Sequence, residues 1–278
     1  FFSKGQNWGF PPLHPERIRE QHYDYVRQYL QFQMRHAGML RIDHVMGLHR
    51  LYWIPSGSSA TEGAYVRYNA EEFYALLSLE SHRHQTLLVG ENLGTVPPEV
   101  NEAMKRHALR GMYVLQFEQR ADPKKALKPP RTQVVASVNT HDTPTFAAHL
   151  RGEDIKLVAQ LGLFSRTEAA RQIKGRFKLV KALSHFLRSR TKKISRLTNR
   201  EGSLDLLGAC LEWLANSQAE FVLVNLEDLW SEIEPQNVPG TSDEVPNWRR
   251  KARLTIEEII RSKPLIFECL RRARNTTR

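Results

Sequence analysis

Residues 39–44, MLRIDH, and residues 85–91, QTLLVGE, decide the fold class of this chain. Each is a short apolar run that contains a carboxylate at or near its end, which is typical of a buried strand followed by a loop. Residues 71–83 lie between them and contain neither Gly nor Pro, which predicts a helix. A strand, a helix and a second strand in this order are typical of parallel βαβ units, so the sequence predicts an α/β protein.

The same alternation continues along the chain. Further strands are predicted at 111–117, 132–138 and 219–227, and further helices at 16–36, 97–107, 165–190, 204–216 and 249–272. A long loop is predicted around residues 54–63, IPSGSSATEG, which are rich in small and polar residues. We therefore expect five strands in a parallel sheet that is covered by helices on the outside.

Five strands predict only part of a closed barrel, because a (β/α)8 barrel of the TIM type needs eight. The chain also begins with Phe1 and not with Met. We therefore expect residues 1–278 to be the C-terminal part of one barrel domain with extra helices. The N-terminal barrel strands are expected upstream of this chain.

The composition excludes several classes of protein. Hydrophobic residues make up 41% and charged residues 26% of the 278 residues, which excludes a disordered or collagen-like chain. No apolar run is long enough to span a bilayer, so no membrane is expected as a partner. Cys210 and Cys269 are far apart and have no Cys or His at ligand spacing, which predicts neither a disulfide framework nor a metal site. We expect a cytoplasmic protein.

The net charge of +11 comes from two basic segments. Residues 171–200 contain eleven basic and no acidic side chains, and residues 249–278 contain ten basic and three acidic ones. Such segments could bind nucleic acid. Apolar residues recur at helical spacing between the charges of 171–200, however, which favours a solvated amphipathic helix, and no nucleic-acid motif accompanies them.

Three carboxylates follow predicted strands. Asp43 ends the run at 39–43, Glu91 ends the run at 85–91, and Asp142 lies in the NTHDT segment directly after the run at 132–138. The carboxyl ends of parallel strands meet at one rim of a sheet, and in barrel enzymes the chemistry gathers there. Any single acid could be a cap or an ion-pair partner, but three at the same rim predict a pocket.

Carboxylates in such a pocket suit glycoside chemistry. Glycosidic bonds are cleaved by a pair of carboxylates that stabilise an oxocarbenium-like transition state, and a separation of about 5–5.5 Å gives retention of configuration. A third acid could steady the developing positive charge. The sequence therefore favours an enzyme that acts on sugars, and the separation of the two carboxylates would decide whether configuration is retained.

The blocks that surround these acids resemble those of a known family. They are GQNWGFPP at 5–12, LRIDHVMGLHRLYWIP at 40–55, EGAYVRY at 62–68, VGENLGTVP at 89–97, NTHDTPT at 139–145, EPQNVPGT at 234–241 and PNWRRK at 246–251. In order, spacing and sequence they resemble the 4-α-glucanotransferases, the amylomaltase or disproportionating-enzyme group of the α-amylase clan. The resemblance is weakest between about 150 and 200.

The resemblance implies a role for each acid. Asp43 matches the nucleophile that forms a covalent glycosyl-enzyme, and Glu91 matches the acid/base. Asp142 matches the third carboxylate, which stabilises the transition state and binds sugar hydroxyls. Transfer of α-1,4-glucan segments between maltodextrin donors and acceptors would need no metal and no organic cofactor.

Six further residues are implied as substrate-binding. Arg41 lies two positions before Asp43, hence on the same side of a strand, where its charge would keep Asp43 ionised. The others are His44, His141, Gln6, Trp8 and Asn237.

Two alternatives to the transferase remain open. A hydrolase of the same clan would use the same carboxylates and differ only in whether water or a sugar hydroxyl reaches the intermediate first. A non-catalytic basic binding module is disfavoured because all three acids are present, and no nucleic acid is expected as a partner.

Overall fold

The computed structural model describes residues 7–188, 200–241, 243–262, 267 and 270. The chain divides into two compact units, Phe1–Met112 and Tyr113–Arg278. Each unit has its own cluster of buried apolar side chains. Both units mix helices and strands.

The described part of the first unit contains four helices and four strands. They are α1 (Pro15–Glu20), α2 (Asp24–Met34), β1 (Met39–Ile42), β2 (Arg50–Trp53), β3 (Ala64–Arg67), α3 (Ala70–His84), β4 (Leu87–Gly90) and α4 (Pro98–Arg106). Short 3₁₀ turns lie at Val45–Leu48 and Ala60–Glu62.

The predicted βαβ unit is confirmed. β1 and β4 pair in parallel, with Met39 opposite Leu87 and Ile42 opposite Gly90. The helices α2, α3 and α4 bury one face each in a shared core that includes Leu30, Leu77 and Met104. Because the last paired residues are Ile42 and Gly90, the strand register places the next residues of both strands at the same edge.

Two strands that flank the predicted loop at 54–63 were not predicted from the sequence. β2 and β3 pair antiparallel around the predicted loop, with Tyr52 opposite Tyr65. The two rings meet edge to face at 5.1 Å, and the Arg50 guanidinium lies 4.3 Å from the Tyr65 ring centroid. Cross-strand aromatic pairs of this kind stabilise a hairpin, which explains why the segment is not an open loop.

The single helix predicted at 16–36 is also wrong. It breaks between α1 and α2, where His22 and Tyr23 adopt left-handed φ angles of 52° and 56°. The break allows the Tyr23 ring to pack edge to face on Phe73 at 5.3 Å and its hydroxyl to bond Glu72. Tertiary packing has overridden a continuous helical pattern.

The second unit contains the other predicted strands. β5 (Gly111–Val114), which begins at the end of the first unit, β6 (Val134–Ser137) and β7 (Phe221–Leu223) form a sheet in that order, and β6 and β7 are parallel. The helices are α5 (Phe146–Arg151), α6 (Glu153–Gln160), α7 (Arg166–Arg188), α8 (Arg200–Ala215) and α9 (Ile256–Ser262), and a 3₁₀ turn follows β7 at Leu226–Trp230.

The basic segment at 171–200 is helical up to Arg188, as an amphipathic helix requires. Val180, Leu183 and Leu187 of α7 are buried in the core of the second unit, while Lys174 and Lys178 are exposed. The remainder of the segment, residues 189–199, lies outside the described residues. No helix in the described ranges is long and apolar enough to cross a membrane.

Two other expectations on helices are corrected. α9 begins at Ile256, and residues 249–255 are not helical; within them Arg250 pairs with Glu227 and Glu232. Of the predicted helix beyond Ser262, residues 263–266, 268, 269, 271 and 272 lie outside the described residues. α5 and α6 were not predicted from the sequence. Both are short, and Gly152 between them adopts a left-handed φ of 68° that ends one helix and starts the next.

Candidate active site

Asp43 follows β1 directly and is held by an arginine of the same strand. The Arg41 Nη2 atom lies 2.6 Å from the Asp43 Oδ1 atom, and Arg41 Nε donates to the Met112 sulfur at 3.5 Å. The Asp43 side chain is 76% exposed. The contact orients the Asp43 carboxylate toward the Arg41 guanidinium, as the i, i+2 spacing on a strand predicted.

Glu91 follows β4 directly and is held by backbone amides. Its Oε2 atom accepts from the His44 N–H at 3.0 Å, and its Oε1 atom accepts from the Leu93 N–H at 2.7 Å. Both oxygens of the carboxyl group are therefore oriented by main-chain donors.

The two loops that carry Asp43 and Glu91 are joined through their backbones. The Glu91 N–H donates to the Ile42 carbonyl at 2.9 Å, and the Val45 N–H donates to the Glu91 carbonyl at 3.1 Å. His44 takes a left-handed φ of 44°, which turns its own N–H toward the Glu91 carboxylate. The structure thus brings Asp43 and Glu91 together at one edge of the first unit.

Asn92 ties the loop after β4 to the start of β5. Its Nδ2 atom donates to Asn101 Oδ1 at 2.9 Å, and its Oδ1 atom accepts from the Met112 N–H at 2.9 Å. Both ends of the amide are used, so a carboxylate at this position would lose the donor. This anchoring role was not predicted.

Asp142 lies in the second unit, in the loop between β6 and α5. The Asn237 Nδ2 atom donates to its Oδ1 atom at 2.7 Å, and the His141 Nε2 atom lies 3.1 Å from its Oδ2 atom. The structure therefore brings three of the predicted residues together, although Asn237 is 95 positions away from Asp142 in sequence.

The loop that carries Asp142 is clamped at both ends by a buried carboxylate that the sequence did not single out. The Asp228 Oδ2 atom accepts from Asn139 Nδ2 at 2.9 Å, and its Oδ1 atom accepts from the Phe146 N–H at 2.7 Å. Asn225 Nδ2 donates to Asn139 Oδ1 at 2.6 Å. Burial, aided by the neighbouring Glu227 and opposed by the two hydrogen bonds, raises the pKa of Asp228 to about 6.

The segment that carries Asn237 is held by residues in and next to the 3₁₀ turn Leu226–Trp230, which also contains Asp228. Gln236 Nε2 donates to Glu227 Oε1 at 3.2 Å and to the Arg250 carbonyl at 3.3 Å. The Arg250 guanidinium lies 3.5 Å from Glu232 and 3.9 Å from Glu227. Residues 226–232 therefore support both the loop of Asp142 and the segment of Asn237.

The remaining predicted residues are less constrained. Gln6 lies outside the described residues. Trp8 lies in the segment before α1 with its side chain largely exposed. His44 contacts Glu91 through its backbone, and the structure gives its ring no hydrogen bond within the described part of the chain.

Trp248 is an exposed aromatic residue that was not predicted from the sequence to belong to the site. Its ring centroid lies 5.5 Å from that of His141, and its side chain is 60% exposed. The only sequence feature that could have pointed to Trp248 was its position in the PNWRRK block. Over the described ranges, no group of three or more His, Cys, Asp or Glu side chains could hold a metal ion.

Comparison with known proteins gives consistent matches. The family of 4-alpha-glucanotransferases matches residues 1–255. The 4-alpha-glucanotransferase of Mycobacterium bovis is 35% identical over 256 residues, which are 90% of this chain and 35% of the relative. That of Haemophilus influenzae is 34% identical over 251 residues, which are 89% of this chain and 36% of the relative. The chain thus spans about a third of the length of these curated relatives.

A solved structure supports the fold class. The crystal structure of amylomaltase from Corynebacterium glutamicum matches with a TM-score of 0.83 and 28% identity, over 98% of this chain and 40% of that chain. The predicted α/β class of the barrel type is therefore confirmed. That residues 1–278 belong to one barrel domain stays a prediction.

Proposed function

The chain belongs to the 4-alpha-glucanotransferase family, as its sequence blocks predicted, and from this premise we propose that it takes part in the transfer of α-1,4-glucan segments between maltodextrins. The observation that carries the proposal is the pairing of β1 with β4, which places Asp43 and Glu91 side by side at one strand edge. Two carboxylates at one edge are what a retaining glycosyl transfer requires.

In the proposed mechanism Asp43 is the nucleophile. Its carboxylate attacks the anomeric carbon of the donor, the glycosidic bond breaks, and a covalent glycosyl-enzyme forms. Arg41 orients the attacking carboxylate, since its guanidinium lies 2.6 Å from the Oδ1 atom and leaves Oδ2 to react.

Glu91 is the proposed acid/base. In its protonated form it gives a proton to the departing glucosyl oxygen, and as a carboxylate it then removes the proton from the incoming 4-hydroxyl. The two backbone donors at His44 and Leu93 fit the second step, because they hold the ionised carboxylate in place. Proton donation requires that one of these bonds is exchanged for the bond to substrate.

Asp142 is proposed to bind sugar hydroxyls and to stabilise the positive charge of the transition state. Its contacts with Asn237 and His141 leave it nearly half exposed, so a ligand could reach it. The exposed Trp248 ring beside His141 could offer an apolar face to a sugar ring.

The test is a product analysis with maltotriose. The longest natural polypeptide that contains this chain is incubated with maltotriose, and the Asp43→Asn variant serves as the control. Glucose together with maltodextrins longer than the substrate, absent in the control, is the expected result. Glucose and maltose with nothing longer would identify a hydrolase instead, and unchanged maltotriose in a well-folded sample would contradict both activities.

A further inference from the structure

The loop between β6 and α5 has little structure of its own. Within it, the Thr140 N–H donates to Thr143 Oγ1 at 2.9 Å and the Asp142 N–H donates to Thr140 Oγ1 at 3.2 Å. Both are local turn contacts of exposed or half-buried groups. Apart from its contact with Asn237 and the bond from Gln116 Nε2 to the Pro144 carbonyl at 3.0 Å, Asp142 is positioned by the two ends of the loop, Asn139 and Phe146, which are both buried.

Asp228 holds both of those ends with one carboxylate. One of its oxygens accepts from the Asn139 side chain and the other from the Phe146 backbone amide, and the group is 3% exposed. Asp228 itself lies in the 3₁₀ turn Leu226–Trp230 and is 82 positions from Phe146 in sequence. Two short bonds from one rigid group fix the distance between the loop ends.

A purely structural need would not explain a charge at this place. Burying a carboxylate is costly, and a neutral group of similar shape usually serves packing equally well. The raised pKa of Asp228 reports that cost, because burial outweighs the two hydrogen bonds. A charged acceptor for two donors gives stronger and more directional bonds than a neutral one.

We propose that Asp228 is a positioning residue for Asp142, acting through Asn139 and the Phe146 amide. The inference rests on the proposed function, because it assumes that Asp142 contacts the substrate. Asp228 itself is buried and does not touch the reacting atoms.

The first variant is Asp228→Asn, which turns an amide donor toward the Asn139 amide donor and breaks that bond. We expect kcat for maltotriose to fall about 10- to 100-fold, as for a misplaced catalytic group, with KM changed less than about threefold.

The rescue variant combines Asn139→Asp with Asp228→Asn. It restores the bond between 139 and 228 with its polarity reversed, while residue 228 still accepts from Phe146 and Asn225 still donates to 139. The long contact of Asn139 Nδ2 with the Pro144 carbonyl, at 3.5 Å, is not restored. Recovery of most of the lost kcat is expected.

A second comparison tests whether the effect passes through Asp142. In an Asp142→Asn background, the additional Asp228→Asn substitution should leave the residual transfer rate unchanged, since the group it positions is already gone. A further fall of tenfold in that background, or an unchanged kcat of Asp228→Asn in the native background, would overturn the proposal. If Asp228→Asn does not fold, Asn139→Ala, which keeps the Phe146 bond, replaces it in both comparisons.

The controls separate this inference from the proposed function. If Asp142→Asn alone leaves transfer intact, the role given to Asp142 is wrong and the positioning inference falls with it. If Asp142→Asn abolishes transfer but Asp228→Asn does not alter kcat, only the positioning inference is wrong. Rates are expressed per folded molecule, measured from the near-UV circular dichroism of each variant.

Discussion

The two units hold their acidic residues in different ways. In the first unit, Glu91 is bound by two backbone amides, and Asp43 is bound by an arginine two residues earlier on the same strand. In the second unit, Asp142 is bound by side chains, and its loop is clamped by the buried Asp228. The first arrangement is built from strand register, and the second from contacts between residues distant in sequence.

The two arrangements differ in the kind of substitution that should displace the acid they hold. Backbone donors cannot be removed by changing a side chain, so the orientation of Glu91 should survive most substitutions around it. A loop that depends on one buried carboxylate should instead be displaced by a single change at that group. Each prediction below tests one side of this contrast.

The largest effect is expected for Glu91→Gln. The variant keeps the shape of the side chain but can no longer carry a proton to the leaving oxygen, so transfer from maltotriose should fall about 10²- to 10⁴-fold. Thermal stability should fall only modestly, because the single amide oxygen of Gln still accepts from one of the two backbone donors. The rate is measured as glucose released from maltotriose.

A donor substrate whose leaving group departs without protonation tests the acid role of Glu91 by itself. An α-glycosyl fluoride needs little proton assistance to depart, so Glu91→Gln should form the glycosyl-enzyme from it at a much less reduced rate, whereas Asp43→Asn should stay inactive. Equal losses of Glu91→Gln on maltotriose and on the fluoride would contradict the acid role.

The first unit is the part that local sequence pattern could predict. The apolar runs before Asp43 and Glu91 indicated two strands, parallel pairing followed from the helix between them, and the i, i+2 spacing predicted the contact of Arg41 with Asp43. All of these features depend on residues that are neighbours in the chain or on one strand. They are confirmed by the structure.

Contacts between residues distant in sequence, which occur in both units, are what the pattern could not reveal. Asp228 is 89 positions from Asn139, and nothing in its local sequence distinguishes it from an ordinary exposed acid. The break at Tyr23 and the β2–β3 hairpin were missed for the same reason, since both depend on side-chain packing across the fold. The contact of Asn237 with Asp142 was not predicted, because Asp142 was selected as an acid that follows a strand and Asn237 only through the family resemblance.

The next effect concerns the pH dependence of stability and is specific to Asp228. Burial raises its pKa from the ordinary 3.8 to about 6, so the folded state holds the proton more tightly than the unfolded state. Its contribution to the free energy of unfolding is therefore largest below about pH 4 and falls as pH rises to about 6, by about 3 kcal/mol in total. Asp228→Asn should lack this fall.

Urea unfolding at pH 4, 5, 6 and 7 measures the difference between the two proteins. All other carboxylates, including Glu227, are common to both, so their titration cancels in the difference. Wild type should lose free energy of unfolding relative to Asp228→Asn as pH rises across this window. Parallel curves would mean that Asp228 is not buried as a charged group.

The smallest effect is expected for a substitution at Gly90, which should disturb the strand pairing that holds Glu91 in the first unit. A Cβ atom at this last residue of β4 would lie 2.8 Å from Met104 Cε and 2.9 Å from Val45 Cγ2. The Met104 side chain can turn away, but Val45 is fully buried and β-branched, so the backbone around it has to shift. We expect Gly90→Ala to lower the free energy of unfolding by about 1–3 kcal/mol.

Gly38→Ala is the matched control, because nothing lies within 4 Å of its added Cβ atom and it should cost little or nothing. Val45 also donates its N–H to the Glu91 carbonyl, so the shift at Gly90→Ala should reach the acid/base and lower transfer by less than about tenfold. Equal free energies of unfolding for the two variants would show that the backbone at the end of β4 shifts at no measurable cost. In that case strand register would not be what holds Glu91 in place, and the contrast between the two units would disappear.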